Sequence, residues 1–340
     1  MGRGRIGAAE FERLVARTGN AKYLARPYSG RKDGMPVSEC VRMASEKDRS
    51  IAMASGTMSG DNPLIVRMAV CRAANRMAVR GRRADSFALM LTVPETMTEE
   101  QLRPYMRVAY EQAELSDVEI VRTDTKLVTA HVVATGEAEE TELRYPDGEY
   151  SIVMCGLTGA EETMLRYEEH RKMLRLKYPK HFLEDIPELA NGADMRTVCR
   201  QAWQNGAVYG YACDDGGVYA GLFGMSERLR TGLRVSLPDI PISQKTIEVC
   251  EELDIDPYQI GAGGCIFLIT PEPERLLTAL YALDTEAAKI GALQTNPAKE
   301  LCNGGEVRCL EPYRGSAFFT VGTAKKPALS GSGMNFLSGS

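Results

Sequence analysis

The chain has no C-x-x-C pair, three histidines, a single tryptophan, and no apolar run near the roughly 18 residues that span a bilayer. Each scarcity excludes something. Nine cysteines, an odd number scattered from Cys40 to Cys309 without paired spacing, make neither a disulfide framework nor a zinc site, and read as reduced thiols of a cytoplasmic protein. His131 falls in a strand pattern, His170 in a helix pattern and His181 after the turn KYPK, a spacing that offers no metal site. There is no excess of positive charge: 41 basic against 46 acidic residues give a net charge of −5. The global field therefore argues against a nucleic-acid or membrane partner. The opening MGRGRIGAAEFERL has no apolar core of a signal peptide, no repeat of solenoid period is visible, and Trp203 reads as helix packing.

What is present is enough for two packed cores, with 340 residues of which 44% are hydrophobic. Residues 1–50 mix Gly, Arg, Lys and Pro and read as an extended arm around one helical stretch, AAEFERLVAR. RSIAMAS then reads as a strand, SGTMSGDN as a turn, and Pro63 opens a helix running to Gly81. DSFALMLTV is a strand, TEEQLRPYMRVAYEQAEL a helix with Thr98 as N-cap, and VEIVRT and KLVTAHVVATGEA are strands. This α+β domain, 51–147, closes in the polar linker ETELRYPDGEY.

A second domain, 148–322, restarts with the strand YSIVM, the turn CGLTG and a helix AEETMLRYEEHRKMLRLKY, where Thr158 and Glu161 have the spacing of a capping box. Behind such a glycine turn a helix N-terminus can hold an anion, so Gly156, Thr158 and Gly159 are phosphate-binding candidates; a plain connection is the other reading. The helices DMRTVCRQAWQNG, VYAGLFGMSERLRTG, SQKTIEVCEEL and PERLLTALYAL alternate with YACDDGG, LRVSL, GAGGCIFLIT, KIGAL and EVRCLE. Residues 323–340 form a Ser/Gly-rich tail.

The stretch CDDGGVYAGLFGMSERLRTGLRVSLPDIPISQKTIEVCEELDIDPYQIGAGGCIFLIT, with its acid-Gly-Gly helix entry, G-L-x-V strand, P-I helix, D-x-x-P-Y turn and glycine-rich strand entry, resembles the AIR synthase (PurM-like) superfamily, nearest to its HypE-type members. The resemblance covers 148–315 and, more thinly, 50–135. It implies a two-domain fold: an N-terminal half-barrel that binds magnesium-ATP and dimerises with itself or a paralogue, and a C-terminal mixed-sheet α/β domain. It also implies activation of a carbonyl or amide oxygen by phosphorylation.

The family's carboxylates do not carry over. Asn75 takes the place of the family Asn, while Arg76 stands at the metal-binding Asp, Lys126 at the family Glu, Asp124 at its His, and Gly56 at the strand-end Asp. In YACDDGG, Tyr211 and Ala212 replace His and Asp, whereas Asp215 keeps the acid before Gly216 and Gly217. Magnesium loses its ligands, and ATP is left without the metal that bridges it. The sequence given closes on NFLSGS without the terminal cysteine of the HypE type, so hydrogenase cyanide-ligand synthesis is not expected.

Three functions remain in play. The first is a pseudoenzyme that binds a nucleotide, a small phosphorylated molecule or a partner subunit in the inherited cleft. The second is an ATP-dependent enzyme in which Arg76 and Lys126 replace the metal. The third is an interaction protein using the face Arg67, Arg72, Arg76, Arg80, Arg82 and Arg83. Asp215 is the candidate catalytic acid or base. Its neighbour Asp214 is read as the N-cap of the helix starting near Val218, and Cys155, Cys213 and Cys265 as small core residues or reactive thiols.

Overall fold

A computed structural model describes residues 40–44, 50–137 and 149–312. The helix expected within 1–39, the linker around 138–148 and the tail 323–340 lie outside the described residues.

The first sheet contains β1 (Cys40–Ala44), β2 (Ser50–Gly60), β3 (Ser86–Pro94), β4 (Leu115–Thr123) and β5 (Val128–Glu137) in the order β1-β2-β5-β3-β4. Strict alternation sorts its faces. Along β5 every second residue from Val128 to Ala134 is buried, and β3 buries Phe87, Leu89, Leu91 and Val93. Two helices cover that buried side, α1 (Leu64–Ala78) and α2 (Glu99–Gln112). Thr98 caps α2 as expected, in a reciprocal capping box with Gln101. The opposite face of the sheet carries no helix among the described residues.

Two sequence expectations change here. SGTMSGDN is not a turn through its first six residues: β2 continues to Gly60 and pairs with β5 over ten positions from Ile51 opposite Glu137 to Gly60 opposite Val128. The small residues are there for the helix. A Cβ at Gly56 would sit 2.0 Å from the carbonyl oxygen of Ala69 and 2.8 Å from the amide nitrogen of Ala73, so α1 lies directly on the strand. Residues 40–44 of the expected arm, in turn, form β1 and pair antiparallel with β2.

The second sheet has the order β12-β11-β8-β10-β6-β9-β7. Its strands are β6 (Ser151–Cys155), β7 (Tyr209–Ala212), β8 (Gly232–Ser236), β9 (Ile266–Thr270), β10 (Ala287–Gln294), β11 (Lys299–Asn303) and β12 (Glu306–Cys309). The central β6 and β9 are buried almost throughout and read in sequence as unbroken apolar runs, SIVMC and IFLIT. Five helices pack around it: α3 (Ala160–Lys177), α4 (Arg196–Gln204), α5 (Gly217–Leu229), α6 (Gln244–Glu252) and α7 (Pro273–Tyr281). YACDDGG divides, its first part being β7 and its last glycine the start of α5. The strand β11 has no counterpart in the sequence reading.

Candidate functional site

The two domains meet along α1. Buried on nearly every side from Ile65 to Ala78, it rests on the first sheet with one face and on the second domain with the other. Its arginines, and Arg80 just beyond its end, reach residues of the second domain. Arg67 donates to Asn191, and Arg80 donates to the Tyr209 hydroxyl at 3.1 Å with its guanidinium 4.6 Å from the ring centroid. Of the basic face anticipated as a docking stripe, Arg67, Arg72, Arg76 and Arg80 line the inter-domain seam, Arg72 and Arg76 being 3% and 4% exposed, whereas Arg83 is exposed and pairs with Asp85 of the first domain.

Arg72 and Arg76 are four residues apart and share one face of the helix. The guanidinium of Arg72 makes a two-pronged contact with Glu161, Nε to Oε1 at 3.0 Å and Nη2 to Oε2 at 2.9 Å. Its Nη1 donates to the Thr57 carbonyl at 3.1 Å and lies 2.8 Å from Asp214 Oδ1 and 2.9 Å from Asp215 Oδ1. Arg76 donates to the carbonyl of Ser55 and pairs with the other oxygen of Asp214. Two cations from the first domain therefore face three carboxylates from the second; burial alone would loosen the Arg72 proton, and Glu161 and Asp215 outweigh it and hold that proton more tightly.

The carboxylate side is fixed by backbone. Glu161 and Glu162 open α3 where the helix dipole favours negative charge, and they reach the glycine loop 261–264. Glu161 accepts from the Gly263 amide at 2.8 Å, while Glu162 accepts from the Gly261 amide and from Arg166. Burial raises the pKa of Glu162, opposed by those donors. With both glutamates so engaged, the expected capping box does not form: Gly159, at φ 66°, is the N-cap of α3 without a side-chain bond. Thr158 instead sends its amide to the Pro241 carbonyl, and its hydroxyl is buried without a hydrogen-bond partner.

Asp214 is likewise no N-cap. Gly216 (φ 81°) takes that position, because the Asp214 carboxylate is held by the two arginines while its carbonyl accepts from the Gly217 and Ala262 amides. Asp215 is the open member of the cluster, with a side chain 46% exposed.

Asn75, on the same helix, donates to the carbonyls of Ala193 and Gly263 and accepts from the Met195 amide at 2.9 Å. Gly156 (φ 90°) ends β6 so closely against the Gly264 carbonyl that a Cβ would come within 2.3 Å of it. The structure thus brings Asn75, Arg76, Asp214 and Asp215 to one seam, with Gly56 beneath α1, while Gly156, Gly159 and Gly217 pack against 257–264 within the second domain and Gly216 is the N-cap of α5. It does not bring Asp124 or Lys126. Both are exposed in the β4–β5 turn, and Lys126 stands five residues before His131, the cross-strand partner of Thr57. Along an extended chain that separation is on the order of 15 Å.

Glu161, Glu162, Arg166 and the role of Arg72 escape sequence reasoning. The one local signal is the pairing of Glu162 with Arg166 four residues on. The thiols named above, Cys155, Cys213 and Cys265, are buried, and burial pushes Cys155 and Cys265 far up. Beside the ion cluster, past Glu161 and Gly264, opens a cavity of about 520 Å³. No helix among the described residues is long and apolar enough to cross a membrane.

No protein-family model and no curated protein matches the chain. Solved structures do. It is similar to HypE in the HypE-HypF complex, at 16% identity over 90% of this chain and 100% of that one, with a TM-score of 0.68. It is also similar to a thiamine-monophosphate kinase, AaThiL, complexed with AMPPCP and TMP, at 14% identity over 93% of this chain and 99% of that one, TM-score 0.65. E. coli HypE matches at 17% identity over 91% and 99%, TM-score 0.65. The chain has the two-domain PurM-like fold that these proteins share.

Proposed function

We propose that this chain is a non-catalytic member of the PurM-like fold group, a regulatory or partner-binding subunit whose nucleotide site is closed by an intramolecular ion cluster. One observation supports this above the others: both arginines at the seam are already neutralised, Arg72 by Glu161, Asp214 and Asp215, and Arg76 by Asp214. A phosphate arriving there would have to displace protein carboxylates from buried guanidinium groups. The rival enzyme, with Arg76 and Lys126 in place of magnesium, needs two cations that converge, and Lys126 stands apart. The same reading takes 51–147 and 148–322 as the two domains. It places the chain in the cytoplasm, a setting consistent with eight described cysteines that are all free.

HypE is crystallised with ATP and AaThiL with AMPPCP, so ATP is the ligand to try. Calorimetric titration with and without magnesium should give no binding heat for this chain. Binding that needs no magnesium and disappears in Arg76→Asp would replace the reading with the enzyme.

The uncovered face of the first sheet favours self-association or pairing with a paralogue. Met90 sits mid-sheet, opposite His131 on β5 and Glu119 on β4, and is 37% exposed; Ile51 on β2 is 44% exposed. Sedimentation at micromolar concentration should show a dimer for the natural chain and a monomer for Met90→Glu. A monomer in both cases would remove the dimer from the proposal.

A further inference from the structure

The 520 Å³ cavity adjoins the ion cluster, sharing only Glu161 with it, and is larger than packing flaws leave. It lies within the about 300–1,000 Å³ range of small-molecule sites. Its walls come from the β6–α3 turn, the segment 185–198, the first turn of α6 and the loop 283–286, with Leu157, Met195, Val198 and Leu283 supplying apolar surface.

Charge decides what it can take. Six carboxylates line it against a single ammonium, Lys245. Three have their own cations: Glu161 has Arg72, Asp185 has Lys245 at 2.8 Å, and Asp194 has Arg196. The other three, Glu188, Asp284 and Glu286, make no side-chain hydrogen bond or ion pair with any described residue. Two helix N-termini also border the cavity, which by themselves would invite an anion. Both are already answered from within. Glu161 and Glu162 occupy the first turn of α3, and Asp194 accepts from the Arg196 amide at the start of α4. A phosphate entering would meet three uncompensated carboxylates and few unspent amides.

Among the described residues no three carboxylate, imidazole or thiol groups converge closely enough to hold a metal ion. The negative charge is spread around the rim, so a point cation matches it poorly. We propose that the cavity is a binding site for an organic polycation, a molecule with an apolar body and two or more ammonium or amidinium groups. Its hydrocarbon rests on the apolar wall while its charged ends meet Glu188 and the Asp284–Glu286 loop. This site does not depend on whether the seam binds nucleotide, and ATP titration reports on the seam alone.

The test is titration of the full chain at low salt with 1,4-diaminobutane and spermidine, with butylamine and inorganic phosphate as controls. The variant Glu188→Gln/Asp284→Asn/Glu286→Gln removes three exposed, unpaired charges and should fold as the natural chain does. A matched variant, Glu100→Gln/Glu111→Gln/Glu114→Gln, removes the same charge from the exposed acids around α2. Saturable diamine binding is expected, weaker for butylamine. It should fall at least about tenfold, equivalent to about 1.4 kcal/mol, in the cavity variant and stay unchanged in the matched one. Equal loss in both variants means the protein's overall charge attracts the amine and overturns the proposal. So does absence of diamine binding, or saturable binding of phosphate in its place.

Discussion

An Arg72→Ala chain should lose about 3–5 kcal/mol of stability, measured by urea unfolding, and about 10 °C or more in melting temperature. The size follows from what stays behind. Glu161 stays buried with only the Gly263 amide, Asp214 loses one of its two arginines, and an uncompensated buried charge costs far more than an exposed pair ever contributes. Because the guanidinium joins α1 to α3 and to the β7–α5 turn, the loss should also appear as a second, earlier transition in which the domains part. Arg72→Lys keeps the charge but cannot make the two-pronged contact to Glu161, and should fall between the two. A loss below about 1 kcal/mol for Arg72→Ala would mean that water replaces the guanidinium at little cost, and that the cluster is not what holds the seam.

Gly56→Asp, which restores the acid that the family resemblance places at this strand position, should be at least as damaging. The helix backbone already occupies the space: the Ala69 carbonyl lies 2.0 Å from where a Cβ would be. Even Gly56→Ala should cost about 3 kcal/mol through forced separation of α1 from β2, and the aspartate adds the desolvation of a carboxylate beneath a helix. The comparison is between soluble yields and unfolding midpoints of the Ala and Asp variants. A Gly56→Asp chain of natural stability would show that α1 can lift off the sheet, and would reopen the question of a metal site between them.

These two positions also mark how far sequence carries. The alternation of β3 and β5, the capped start of α2 and the apolar runs of β6 and β9 are local patterns, and all are legible in the residues. Gly56 was legible as an oddity but not as a contact, since glycine and serine in SGTMSGDN mark a turn just as well as they mark a strand under a close helix. The misreading of Thr158 and Asp214 as caps has a single cause. Both are preceded or followed by groups whose partners lie far along the chain. Arg72 meets Glu161 at a separation of 89 residues and Asp215 at 143, and no periodicity encodes such distances. The PurM-like resemblance, by contrast, rests on ordered motifs within one domain and extends to the fold of both. Its carry-over of residues assigns Arg76 a place in the family pattern, but says nothing of what neutralises it.

The order of the second sheet sets a timetable for synthesis. β6 is made early in its domain, yet its neighbours are β9 and β10, so the middle of the sheet is incomplete until residue 294 has emerged. The first sheet needs nothing beyond residue 137. At about 5–20 residues per second the ribosome leaves an interval on the order of ten to thirty seconds between the two. During that interval α1 has its sheet, and the Thr57 and Ser55 carbonyls for Arg72 and Arg76, but not the carboxylates that neutralise them in the finished fold.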